Sequence, residues 1–195
     1  MIPLNELKQY GERVGGLIAR PAWLWHSKEY LAAGQYSIEF FRTQGAQQDY
    51  SGTIATVANI SNIVTSGKFD EKFLITHVSA FFNPMNATKS TQAVDTVKVF
   101  NGGSFQLEIN NKVVLELAPI GRLGTFLNYT GYAGSGSSGA QAGQFLKNRP
   151  FKLPQPIFAE ESDTLRALMS WTTLITIGTS SVIGVYLHGL KYFKA

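Results

Sequence analysis

The sequence contains no cysteine, which excludes disulfides, thiolate metal centres and cysteine nucleophiles together. Charge is scarce as well. Asp, Glu, Lys and Arg make up 15% of the 195 residues, against roughly 25% in an average soluble domain. Over the ~9,000 Å² that a folded monomer of this mass exposes, this leaves about one charge per 300 Å². So bare a surface reads as one that other protein chains cover. The net charge of +4 is spread along the chain without a block of like charges, so no specific nucleic-acid binding is expected. No apolar run approaches the ~18 residues of a membrane-crossing helix. The first residues, with Glu6 and Glu12 among them, lack the basic start and apolar block of a signal peptide. Asn59-Ile60-Ser61, Asn86-Ala87-Thr88 and Asn128-Tyr129-Thr130 fit the glycosylation pattern, which carries no weight without an export signal.

What is present is apolar: 44% hydrophobic residues, with 12% aromatics, enough for one full core. Leu4, Leu7, Tyr10, Val14 and Leu17 recur at spacings of three and four and predict a helix over 4–18. Gly11, Gly15 and Gly16 weaken it, so it needs a packing partner. Pro21 ends it, and a second short helix is expected over 27–33. Residues 1–33 are thus read as an N-terminal arm, followed by a main domain over 34–195.

In that domain the period moves toward two. Tyr36, Ile38 and Phe40 alternate with polar neighbours, Lys72 to Phe82 forms a long strand, and Ala93 to Phe100 is a β-branched run read as another. Ser104 to Ile109 and Lys112 to Leu117 form the clearest hairpin, joined by Asn110-Asn111, residues that tolerate left-handed turns. Residues 118–150 form a long loop rich in glycine and serine, a length that is usually functional. Phe151 to Phe158, carrying Pro154 and Pro156, suits an edge strand. Thr164 to Ile177 and Ile183 to Phe193 supply the last strands. Many short strands with almost no intervening helix predict an all-β fold, a single Greek-key antiparallel barrel or sandwich of jelly-roll type.

No catalytic constellation emerges. Gly134-Ser135-Gly136-Ser137-Ser138-Gly139 has the letters of a dinucleotide fingerprint but not the strand–turn–helix context that makes it work. His26, His77 and His188 do not pair at helical or hairpin spacing, so packing roles are expected for all three rather than metal or proton chemistry. Glu160, Glu161 and Asp163 could share a hard cation, and a solvated turn is the favoured reading. No catalytic residue, cofactor or metal ligand is assigned, and the chain is not read as an enzyme. Tyr129 and Tyr132 stand out as loop aromatics without an evident core partner. Trp23 and Trp25, beside Arg20, His26 and Lys28, suit a membrane interface or a neighbouring subunit's groove, and the subunit is preferred.

The order of features resembles the jelly-roll capsid proteins of tailless icosahedral double-stranded DNA bacteriophages, those built from single upright β-barrels. The segments that carry the resemblance are Tyr36 to Arg42, Lys72 to Thr76 running on to Phe81-Phe82, Phe105 to Lys112, Leu117 to Arg122, Leu153 to Ile157 and Ile183 to Gly189. It covers roughly residues 35–195. It implies a virion structural protein, a major or minor shell subunit that assembles by contacts between copies of itself and with other virion proteins. The terminal arm and long loops often carry such contacts, which here points to Leu7, Val14, Leu17, Trp23, Trp25, Tyr129 and Tyr132. The chain is too short for a double barrel. Contact with an internal virion membrane is not predicted.

The expected function is therefore a virion shell subunit, located in the virion. The alternative is a carbohydrate-binding β-sandwich for surface attachment. A binding module should place Tyr129 and Tyr132 in a concave preformed site, whereas a shell protein should expose apolar residues on the flanks of the barrel and on the arm.

Overall fold

A computed structural model describes residues 17–42, 60–62, 67–84, 89–124 and 149–194. Among the described residues the chain forms β1 (Leu17–Tyr30), β2 (Ser37–Phe40), β3 (Ile60–Ser61), β4 (Phe73–Asn83), α1 (Lys89–Gly102), β5 (Gly103–Ile109), β6 (Lys112–Leu117), a 3-10 turn (Ile120–Leu123), β7 (Phe151–Ala159), β8 (Leu165–Trp171) and β9 (Ser181–Lys194). One sheet has the order β3-β1-β9-β4-β7, the other β2-β8-β5-β6. Apart from the two-residue β3, these are two four-stranded antiparallel sheets packed as a sandwich. No described helix is long and apolar enough to cross a membrane.

The pairing is nested. Setting β3 aside, the first strand pairs with the last (β1 with β9), the second with the second last (β2 with β8), then β4 with β7 and β5 with β6. The chain is therefore one long antiparallel ribbon folded over on itself. The core lies between the sheets, around Tyr30, Phe40, Phe73, Phe82, Phe105 and Leu187.

The β5–β6 hairpin forms as the sequence predicts, with Asn110 and Asn111 at φ 51° and 60°, the pair of left-handed residues that matches strand twist. Asn110 also ties this turn to the one before β8. Its Nδ2 donates to Asp163 Oδ1 at 2.7 Å, and its Oδ1 accepts from the Thr164 backbone N–H at 2.9 Å. Asp163 Oδ2 accepts from the Glu160 N–H at 2.8 Å, and Lys72 pairs with Glu160. The acidic cluster thus organises a turn. β7 is an edge strand, as its prolines require. Between Ile75 and His77 its pairing with β4 slips, so that Leu153 to Pro156 bow past Thr76, where a proline owes no ladder hydrogen bond.

Some expectations are corrected. Residues 17–30 are not helical: β1 pairs with β9 along its whole length, from Leu17 opposite Lys194 to Tyr30 opposite Ser181. The predicted helix over 27–33 is the end of that strand and a turn. The predicted boundary at 33 therefore cuts through the sandwich, and the rest of the predicted 4–18 helix lies outside the described residues. Ala93 to Phe100 is helical within α1, not a strand. Its β-branched residues favour strands, but among its described side chains Asp95, Thr96, Val99 and Phe100 are the buried ones, a helical spacing of one and four. Packing outweighs propensity here: the Asp95 carboxylate accepts the Gly178 N–H at 3.1 Å, and the Trp171 indole donates to the Val99 carbonyl at 2.9 Å. The start of the glycine-rich 118–150 segment is not loose either, since Ile120 and Leu123 are fully buried.

Candidate interaction surface

The two sheets differ on their outer faces. The outer face of the four-stranded sheet is mainly polar, with Leu168 its apolar exception. Arg166 on β8 bonds both Glu108 on β5 and Glu39 on β2, and Arg42 also reaches Glu39. Ser104 and Ser170 share a hydrogen bond at 2.8 Å, and Gln106 donates to Glu116. Burial pushes the Glu39 carboxyl up, but Arg166 and Arg42 more than offset this and hold it below the usual carboxylate range. This sheet follows the ordinary rule of apolar inside and polar outside.

The larger sheet does not. Leu24, Val78, Ala80, Phe82, Val185 and Leu187 point into the core, and their neighbours of opposite parity point outward. Outward from β1 come Ala19, Pro21, Trp23 and Trp25. Opposite them on β9 stand Tyr192, Leu190, His188 and Tyr186. β4 continues the rows with Leu74 opposite Leu190, His77 opposite His188, Ser79 opposite Tyr186 and Phe81 opposite Gly184. β7 adds Phe158 opposite Leu74 and Lys152 opposite His77. In this stretch Lys152 is the charged side chain, and it sits on the edge strand.

The aromatic rings form a connected layer. Trp25 stacks on Tyr186 at 6.2 Å between centroids, Tyr186 stacks on His188 at 6.0 Å and meets Phe81 at 5.4 Å. Toward one end Leu74, Leu190 and Tyr192 bury one another, with Leu17 and Phe158 packed against them. Trp23, by contrast, is 57% exposed.

The polar groups in the layer are used internally. Ser79 Oγ lies 2.8 Å from His188 Nε2, Thr76 Oγ1 donates to the His188 carbonyl at 3.1 Å, and His77 Nδ1 lies 2.9 Å from Thr76 Oγ1. Burial, with the neighbouring His77, lowers the His188 pKa to about 4; burial and Lys152 lower that of His77. Both rings are neutral at pH 7. The Ser79–His188 contact has the partners of a nucleophile and base, but Ser79 is fully buried and no substrate atom can reach its hydroxyl. Among the described residues no group of three His, Cys, Asp or Glu is placed to hold a metal ion.

His26 is a packing residue. It is fully buried, its Nδ1 accepts the Phe41 backbone N–H at 2.9 Å, and the rings of Phe40 and Phe41 meet it edge-on.

Of the contact residues expected from sequence, Leu17, Trp23 and Trp25 all point outward on β1, with Leu17 half-buried and Trp23 the most open. Leu7, Val14, Tyr129 and Tyr132 lie outside the described residues. The sequence reading does not single out Tyr186, Phe81 and His188 as residues of this outer layer. Their signal was available: Val182 to Leu190 and Phe73 to Phe82 are apolar at both parities, which marks strands with two apolar faces. No family model matches this chain, and neither a curated protein nor a solved structure matches it.

Proposed function

We propose that this protein is a structural subunit of a virion shell, with a jelly-roll fold, that assembles with copies of itself. The nested pairing and the two strand orders support the finer fold reading, because a ribbon of eight strands rolled into two four-stranded sheets is how two Greek keys make a jelly roll. The observation that carries the assembly reading is the second apolar face of the larger sheet. Much of that face is buried by its own side chains, and Trp23 at 57% exposure is where it offers an aromatic anchor to a partner. It agrees with the low overall charge, and the exposed Val113 and Val114 on edge strand β6 add apolar surface on another flank. The first segment and the 121–149 loop remain proposed contacts in the same shell. The reading makes the chain a scaffold and not an enzyme.

The test is electron microscopy of the purified full-length chain at rising concentration, beside a variant lacking residues 1–16. Closed or sheet-like particles from the full chain, impaired in the variant, support the reading. Separate single sandwiches at every concentration, with saturable binding to immobilised glycans, would favour the carbohydrate-binding alternative instead.

A further inference from the structure

Three of the four sheet edges are blunted against a further strand. β7 carries Pro154 and Pro156. β2 is only four residues long. β1 carries Pro21, the two-residue β3 and the side-chain amide of Asn62. That amide accepts the Trp25 N–H at 2.7 Å and donates to the Trp23 carbonyl at 2.8 Å, taking the place of a neighbouring strand. The fourth edge is β6, which has no proline and, among the described residues, pairs with β5 alone. Val113 and Val114 on it are 51% and 39% exposed. A bulge, where Val114 has no partner on β5, and two charges, Lys112 and Glu116, are its protection. The hairpin is also fixed in place, because Asn110 ties its turn to Asp163 and Thr164. An open row of backbone N–H and C=O groups, held extended, is what another strand recognises.

We propose that β6 pairs edge to edge with β6 of a second copy of the chain, antiparallel about a two-fold axis near Val114, so that two four-stranded sheets continue as one. The charges choose this partner. Lys112 opens the strand and Glu116 stands four residues on. An antiparallel match brings the Lys112 end of each copy to the Glu116 end of the other, and the two-fold repeats that pairing. Gln106 donates to Glu116 Oε1, which leaves Oε2 for the partner's lysine. A parallel match would set like charge on like, and an uncharged strand would leave both charges unpaired at the joint. The side chains that turn other strands away therefore admit this one. The valines and the backbone hold the pair, and the charges select it. The inference rests on the assembly reading and specifies which surface carries it.

The test is sedimentation equilibrium at low salt of the full-length wild type, of Lys112→Glu, of Glu116→Lys, of these two variants mixed, and of Glu29→Lys on the other sheet. Lys112 and Glu116 are exposed, and circular dichroism with the urea midpoint establishes that each variant is folded. Each reversal on β6 sets like charges together twice, so each variant alone should associate about 10-fold or more weakly than the wild type. In the mixture a strand with two glutamates meets one with two lysines, and association should return to the wild-type level. Glu29→Lys should leave it unchanged. Reversals no weaker than Glu29→Lys, or a mixture as weak as its components, would overturn this contact and leave the assembly reading standing. A wild type that stays monomeric at every concentration would overturn both.

Discussion

Phe81 lies across Gly184, its ring covering the spot where any other residue would carry a Cβ. The two are opposite each other on β4 and β9, and a Cβ on Gly184 would also come within 2.8 Å of the His26 carbonyl oxygen. Gly184→Ala should therefore force Phe81 off the sheet and cost about 1–3 kcal/mol. The urea midpoint would fall, and Trp25 fluorescence would change as Phe81 disturbs Tyr186. An unchanged midpoint would show that the ring moves freely.

His26 links the two sheets through its Nδ1, which accepts the N–H of Phe41. Phe41 holds φ 69°, a left-handed backbone that a bulky residue adopts only when its surroundings impose it. His26→Leu keeps much of the volume but leaves that buried N–H without its acceptor. A loss of about 1–3 kcal/mol follows, and faster amide exchange at Phe41 should accompany it. Protection equal to wild type would mean another acceptor takes over.

The pH dependence follows from His188. Its folded pKa of about 4 lies below the ~6.5 of an unfolded histidine, so between those values the unfolded chain binds more protons. Stability is therefore full above about pH 6.5 and falls as pH drops toward 4. His77 acts in the same direction. Urea midpoints at pH 7, 5.5 and 4.5 should decline for the wild type and decline less for His188→Gln. Equal slopes would remove His188 from the account.

Arg166 is the cation shared by Glu39 and Glu108. Arg166→Met should cost about 1 kcal/mol, because the group is partly open to water, and should raise the Glu39 pKa, which NMR titration reads directly. The loss should shrink in high salt as the repulsion between Glu108 and Glu39, which keeps Arg42, is screened. A loss insensitive to salt would point to packing of the Arg166 stem instead.

The fold was legible where local chemistry and tertiary context agree. Asn110-Asn111 specify their turn whatever surrounds it, and the prolines of β7 admit only an edge. In β5, Phe105-Gln-Leu-Glu-Ile alternates, as strands with one wet face do, and in β8 Arg166 and Ser170 mark the outer parity although Leu168 interrupts it. The misreadings fall where context decides. Leu17 and Ile18 end a helical spacing, yet β9 offers them a ladder fourteen residues long, and ladder pairing outweighs a period shared with three glycines. Val94, Val97 and Val99 favour a strand, but the buried edge of α1 is set by Asp95 and Phe100. The outer face was half legible. Trp23 and Trp25 stand out by composition, whereas Tyr186 and Phe81 sit in continuous apolar runs, which do not say which parity faces inward.

The most direct measurement is the solution mass of the full-length chain by light scattering, across protein concentration and from low to high salt. Contacts made mainly by apolar side chains predict discrete multimers or closed particles whose mass rises with concentration and does not fall at high salt. A 21.4 kDa monomer throughout, or multimers that salt dissolves, would contradict the account.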